Sequence, residues 1–544
     1  MKSIRFIRVI LVSFVMVSSA WADDTPLTGT PIGSKYGYDP TTRRQTTSNY
    51  TFADAFDGNT NTFFSAWETS MAWAGLDLGS PHIITGVAFR PQTGTSGADK
   101  MLLGVFEGAN QPDFMDAVPL YLIGETPEKN TMTRADVSVS RGFRYVRYVG
   151  PANTRCVVAE LAFYGTPGEG SDSLFYQVTD VPTLSIHVQD GILPLTRGED
   201  FEARSQLIYD GGTLLQDYPI LFRVRGNYSS TPDNKAYRVK FNDGKSHHMM
   251  KDGINESPVK AKKWVLINSF RDKTLMRNPV AWEVSRRVGL KWTPWYQVVD
   301  LLVNGEYRGT YTLADHVSVS KGRIDITEMT AEDTTDEAIT GGYFVEVDNN
   351  ASREPYWFTS AHGNPITVHD PDDDVIQPEQ FSYIKNAWNE MESHVYSDAS
   401  ASDTDGFGRW LDMESFLRYF LASEYNGNTD MLCQVFFYKE RGDDHFYTGP
   451  VWDHELALDD DITTFPANEF AHWTYTVRCT GNFSYFVSLV LSHPDVMARL
   501  QSMWAELREA GRFKPDDLAA CVDSLREQVR ASARLNFIRW PYLN

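Results

Sequence analysis

The sequence predicts two unlike parts in series, an all-β sandwich and then a larger α+β domain. Three observations carry this. At 544 residues the chain exceeds what one core accommodates, given roughly one domain per 150 residues. From about Pro26 to Gly165 it is written in short runs broken by Gly, Asn, Asp and Pro, with very little helical periodicity, the pattern of a β-sandwich. After Thr166–Ser173, a Gly- and Ser-rich stretch expected to be a linker, strand-like runs come first and helical periods later. That is the order of an α+β domain, assigned to residues 174–544.

Taken in order, residues 1–22 read as a signal peptide. Lys2, Arg5 and Arg8 precede the apolar run Val9–Val17, and Ala20-Trp21-Ala22 fits a small-x-small cleavage site. The run is too short to span a bilayer, and no later stretch approaches about 18 apolar residues, so no membrane span is expected. The expected location is secreted, periplasmic or at the cell surface. In the first domain His82–Pro91, Phe143–Gly150 and Val157–Gly165 are strand-like. In the second, Pro182–Val188, Tyr218–Gly226, Lys235–Phe241 and Lys262–Phe270 follow suit. Thr274–Gly289 has apolar residues at helical spacing and a terminal glycine, hence a helix. Trp295–Val317 reads as a hairpin turning at Asn304-Gly305. Gly341–Asp348 is another strand, and 378–396, 413–425, 482–492 and 493–511 are helical.

Without residues 1–22 the chain carries 47 basic against 72 acidic residues, a net charge of −25. Such a surface repels phosphate backbones and anionic lipid, which argues against nucleic acid and bilayers as partners, and it suits divalent cations. Aromatics at 13% with 14 Trp serve large cores and, where exposed, sugar-facing platforms. Cys156, Cys433, Cys479 and Cys521 include no CxxC pair, so neither a zinc cluster nor a disulfide framework is expected. His316, His369, His454 and His472 are scattered without zinc-ligand spacing.

The chemistry is expected at two aspartates 23 positions apart, Asp430 in Asn428–Lys439 and Asp453 in Gly449–Asp461. Both segments read as buried strands rich in aromatic and branched residues, where a carboxylate is costly unless a cation or substrate proton uses it. One acid to take a proton and one to hold a divalent metal is the minimum equipment for phosphoryl transfer. The competing reading is that both acids cap strands by accepting from backbone amides. Glu346 and Asp348 stand as supporting acids or as a hairpin surface.

Residues Phe52–Trp67, then Trp73–Pro91 and the closing Arg144–Gly165 with its Arg-Tyr-Val-Arg-Tyr and Ala-Glu-Leu runs, resemble a discoidin-type galactose-binding domain over 26–165. An Asp-Gly-Asn turn with carbonyls and a later acid also offers hard oxygen ligands to calcium. The resemblance implies a structural calcium site at Asp57, Thr62 and Glu160, and sugar stacking on Trp67 and Trp73. Ordinary core packing would explain both tryptophans equally well, and an Asx turn would explain Asp57.

Seven segments of the second domain arrive in an ordered series. They are Arg223–Ser230, Asn234–Phe241, Lys262–Val284, Val303–Val317, Gly341–Asp348, Gly427–Lys439 and Gly449–Leu458. The series resembles the CotH kinase family, spore-coat and secreted bacterial proteins with an atypical protein-kinase-like fold. The resemblance implies an ATP- and magnesium-dependent phosphotransferase acting on protein Ser or Thr hydroxyls. It makes Asp430 the catalytic acid, Asp453 the metal-holding acid of a Trp-Asp-x-Asp motif, and Lys235, Arg238 and Lys240 the strand of the phosphate-binding cation. Arg225 and Asp315 complete the nucleotide side; Glu455 and Gln434 complete the magnesium side. A solvated strand face is the plain alternative for the basic trio. No GxxxxGK[ST] or GxGxxG loop occurs.

The sequence departs from the family at Glu455, where Asp is expected, at Asp315, where Glu is expected, and at Gln434, in place of Asn. Shifts of about 1 Å can cost about 100-fold in rate. A catalytically weak, carbohydrate-binding adhesion protein is therefore the second reading. Glycoside hydrolysis by paired carboxylates ranks third.

Overall fold

The computed structural model describes residues 25–94, 96–250, 260–397, 399–428, 430–458, 473–477 and 482–541. The expected signal peptide, His472 and Cys479 lie outside them. The N-terminal domain is built around one long strand, Trp73–Arg90. Its first half pairs with Thr30–Gly33 and Gly142–Val149, and its second half with Thr133–Asp136 and Glu160–Pro167. The register slips between Asp77 and His82, where Gly79 takes φ +79°, so the bent strand serves both faces of the sandwich. Phe64, Phe89, Phe106, Phe143, Tyr148 and Phe163 fill the interior.

The stretch 166–173 is pinned to this domain. Ser171 N donates to Ser140 O, and Asp172 pairs with Arg141 at 2.6 Å.

The second domain opens with a closed seven-stranded barrel. The strands Thr183–Val188, Phe201–Tyr209, Thr213–Val224, Tyr237–Phe241 and Lys263–Ile267 run round to Glu306–Asp315 and Tyr296–Val303. Parallel pairing of Thr183–Ile186 with Asp300–Val303 closes the ring. Tyr237, Val239 and Phe241 point inward while Arg238 and Lys240 alternate outward, the period-two pattern of a half-buried strand. The hairpin turns at Asn304 (φ 52°) and Gly305 (φ 80°), the type I′ geometry its sequence predicts.

A five-stranded sheet follows, ordered Trp357–Thr359, Pro365–Asp370, Tyr343–Asp348, Gln434–Lys439 and Tyr447–Thr448. Helices Pro378–Val395, Met413–Asn426, Phe483–Ser492 and Pro494–Glu509 bury one face of it through Trp388, Phe416, Phe420, Phe437 and Phe486. Helix Arg277–Val288 ends on Gly289 at φ 81°, a left-handed cap that glycine adopts without Cβ strain. Its Trp282 is wholly buried, and truncation there would cost about 3–5 kcal/mol. The last helix, Pro515–Arg539, lies along the barrel, where Asn536 Oδ1 accepts from Thr310 N at 3.0 Å.

The two domains are fused through a buried interface. Leu103, Val105 and Leu122 of the sandwich pack with Leu302, Tyr307 and Leu535. Beside them Arg147 donates from Nε and Nη2 to Glu107 Oε2 at 2.8 and 2.7 Å, and His187 Nε2 lies 2.9 Å from Glu107 Oε1. A Cβ on Gly305 would sit 2.5 Å from Glu107 Oε2, so the hairpin glycine serves both its turn and this contact. Among the described residues no helix is long and apolar enough to cross a membrane.

Candidate functional site

A cavity of about 800 Å³ separates the barrel from the five-stranded sheet. Arg197, Arg223, Arg225 and Arg238 line its barrel side, and Glu346, Asp348, Asp430, Asp453 and Glu455 line the other. The two aspartates foreseen as partners therefore meet in one cleft, although neither stands on a strand. Asp430 sits in a turn ahead of Gln434–Lys439, where its carbonyl accepts from Cys433 N at 2.9 Å. Asp453 follows Tyr447–Thr448 in irregular chain at φ 56°, a conformation costing about 1 kcal/mol or more that collects at functional sites.

The segment carrying Asp453 is fixed from behind. His454 is 1% exposed, its amide donates to Asn278 Oδ1 at 2.7 Å, and burial holds its imidazole neutral, down at about 3. Leu458 N donates to Asn426 O at 2.7 Å. Asp453 and Glu455 flank this buried histidine and both face the cleft.

The charges are poised. Burial, then the charge of Asp430, raises the Asp453 carboxyl, and Arg225 partly offsets them. Burial and then Asp453 push Glu455 up to about 8. Two raised carboxyls, Asp453 and Glu455, beside the further acid Asp430 invite a cation, which would replace the protons the raised pair holds. Opposite them, burial lowers the Arg225 guanidinium, with Asp453 the main group favouring its charge. No hydrogen bond or ion pair is recorded for the Arg225 side chain among the described residues, and its carbon stands 5.7 Å from the Trp452 ring. Gln434 lines the same cleft.

Other expected contacts are elsewhere. Lys235 Nζ donates to the carbonyls of Ser230 and Thr231 at 3.0 and 3.2 Å, so it secures the turn after Arg225 and does not line the cleft. Lys240 shares the outward face of Arg238, but two residues along the strand carry it past the cavity. Asp315 is buried and paired with Arg323 at 3.1 Å while accepting from Trp295 N at 2.9 Å; it is a structural ion pair outside the cleft. Arg238 does line the cleft, tied to Asp200 at 2.9 Å. Arg197 and Arg223 were missed. Arg223 sits two residues before Arg225 on one strand, an available signal; Arg197 lies in irregular chain and gives none.

In the sandwich, Asp57 Oδ1 accepts from Asn59 N at 2.7 Å and Asp57 Oδ2 from Thr62 Oγ1 at 2.8 Å. Burial, then the charge of Asp57, raises Glu160 to about 7, and Glu160 Oε1 is buried without a partner. The trio thus converges, and an orphaned oxygen beside a second acid suits a hard cation. Trp67 is 42% exposed, 6.2 Å from the Tyr38 ring, with Arg155 4.0 Å over Tyr38. Trp73 is half-buried and packs on Phe114 at 5.1 Å beneath Arg147, so less of its ring is open than that of Trp67. Among the described residues, no group of three or more His, Cys, Asp or Glu side chains is arranged to hold a metal by itself.

The family model described as CotH kinase protein matches residues 222–544. Among solved structures, the N-terminal region is similar to CBM62 from Clostridium thermocellum Xyl5A, with 41% identity over 26% of this chain and 98% of that one, TM-score 0.24. It is also similar to chitosan-binding module 1 of a chitosanase/glucanase from Paenibacillus sp. IK-5, with 18% identity over 26% and 97%, TM-score 0.20. No curated protein matches.

Proposed function

Since the chain belongs to the CotH kinase protein family, we propose that it is an exported, kinase-like phosphotransferase that moves a phosphoryl group from ATP to a protein Ser or Thr hydroxyl. One observation carries the reading: Arg225, without an ion-pair partner among the described residues, faces the carboxyls of Asp430, Asp453 and Glu455 across one cleft. A polyphosphate with its cation answers both walls at once. Asp453, Glu455 and Gln434 would hold magnesium. Two or three protein oxygens suffice, because magnesium commonly takes its remaining ligands from phosphate and water.

Magnesium and ATP supply the leaving phosphoryl group and the neutralisation of its charge. The chain's own residues do the rest. Arg225, flanked by Arg223 and Arg238, holds the anionic side. Asp430 orients the acceptor hydroxyl and takes its proton. Asp453, locked by its buried neighbour His454, would hold the cation in the same cleft as Asp430. Catalysis of this kind is positioning and electrostatics. Transfer of terminal phosphate from labelled ATP to a Ser/Thr-rich acceptor protein tests the assignment; label that persists undiminished in Asp430→Ala would reject Asp430 as the base.

A second role is supported for the sandwich. Exposed Trp67 beside Tyr38 and Arg155 offers a ring face and a cation-backed edge, as a sugar requires. Calcium at Asp57, Thr62 and Glu160 would steady the domain. A protein that only adheres to glycans would retain this site while leaving the cleft without nucleotide.

A further inference from the structure

His369 lines the same cleft as Arg225 but from the sheet side. In the pairing of Tyr343–Asp348 with Pro365–Asp370, Val345 faces Val368 and Phe344 faces Asp370. His369 is therefore the extra residue of a β-bulge. Bulges re-aim a side chain and recur beside active sites. The re-aimed ring meets a buried acid: His369 Nε2 lies 2.6 Å from Glu346 Oε2. Phe344 and Phe436 flank it at ring distances of 5.6 and 5.9 Å. The histidine side chain keeps 34% of its surface open, and no hydrogen bond is recorded for Nδ1 among the described residues.

The charged groups nearest the ring are mostly acidic, with Lys263 and Arg197, the latter 3.7 Å from Glu354, as basic neighbours. Glu346 comes from the adjacent strand, Asp370 from its own, and Glu354 from the turn beyond; Lys263 stands near Asp370. Burial lowers the imidazole's proton affinity, yet Glu346, Asp370 and Glu354 together raise it above the ordinary histidine value. With one N–H committed to Glu346, an imidazolium offers its second N–H to the cleft.

We propose that His369, held in place by Glu346, donates to an anionic oxygen of the nucleotide's polyphosphate, so that the ligand is gripped from the sheet wall as well as by Arg225 on the barrel wall. The inference rests on the phosphotransferase reading and adds a residue to it. In it, the bulge is a binding device: without the extra residue, position 369 would be paired in the ladder and its side chain set by the pleat.

Titration calorimetry of the full chain with Mg–ATP at pH 6 and pH 9 tests it, comparing wild type with His369→Gln. The variant keeps polar bulk but not the charge. Loss of a charge-assisted bond should weaken binding roughly tenfold or more at pH 6, with the gap narrowing toward pH 9 as the imidazolium gives up its proton. Glu346→Gln supplies an independent arm if His369→Gln does not fold: without the carboxylate that raises its proton affinity, the imidazole should lose its charge, and the protein its grip on Mg–ATP, at a lower pH than in wild type. A wild type that binds Mg–ATP no better than His369→Gln at either pH overturns the His369 assignment alone. A wild type that binds no Mg–ATP overturns this and the phosphotransferase reading together.

Discussion

Replacing Glu455 with glutamine should make the cation-free protein more stable at alkaline pH while impairing its response to magnesium. Burial, followed by the charge of Asp453, raises this carboxyl from 4.5 to about 8. The folded state therefore keeps a proton that the unfolded chain releases between those values, and the stability contributed falls as pH climbs through that window. The displacement corresponds to about 5 kcal/mol at about 1.4 kcal/mol per tenfold change in proton affinity. Glu455 is partly exposed, so solvent screening leaves roughly half of that, about 2–3 kcal/mol. Glutamine stays neutral throughout. Thermal melts across the pH range should show the two proteins alike near pH 4.5 and the variant several degrees higher near pH 8.5. Magnesium with ATP should raise the melting temperature of wild type more than that of the variant. A variant less stable than wild type at every pH would refute the reasoning, because Glu455 would then act as a structural acceptor for the Arg271 amide, 3.4 Å away.

Other expectations concern single contacts. Arg225→Ala should lower affinity for Mg–ATP by about tenfold or more in calorimetry, whereas Lys235→Ala should leave it unchanged and cost about 1 kcal/mol of stability through the turn it secures. Glu107→Gln uncouples a buried network of Arg147 and His187 and should destabilise the protein by about 3–5 kcal/mol in denaturant titrations. The Arg147 and His187 charges hold Glu107 at about 2 against its burial, so this stabilisation is complete above pH 4.5 and disappears as pH falls through about 2. Glu160→Gln should abolish a calcium-induced rise in melting temperature, and Trp67→Ala should weaken retention on immobilised glycan without altering that rise.

The distance between legible and illegible parts is a distance between local and long-range constraints. The Asn304-Gly305 turn and the glycine-capped helix Arg277–Val288 are decided within a few residues, and both read correctly. The convergence of Asp430 and Asp453 showed through as acids set beside aromatic runs, but their loops did not, because Met431, Leu432, Val451 and Ala457, whose apolar character suggested strands, are buried in irregular chain. The alternation Tyr237, Arg238, Val239, Lys240 gives an outward face and cannot say which cation has the cleft beneath it. Closure of the barrel depends on Thr183–Ile186 finding Asp300–Val303, a pairing without local signature. The same holds for Asp315, whose partner Arg323 lies across a loop, and for His369, whose bulge is visible only once the register with Tyr343–Asp348 is known.

The account stands or falls on whether ATP enters the cleft together with a cation held by Asp453. Calorimetric titration with ATP, with and without magnesium, measures this on wild type, Asp453→Ala and Asp430→Ala. Magnesium-dependent binding at one site, lost in Asp453→Ala and kept in Asp430→Ala, is the predicted result. Binding that ignores magnesium and survives Asp453→Ala, or no binding to the wild type at all, would contradict it.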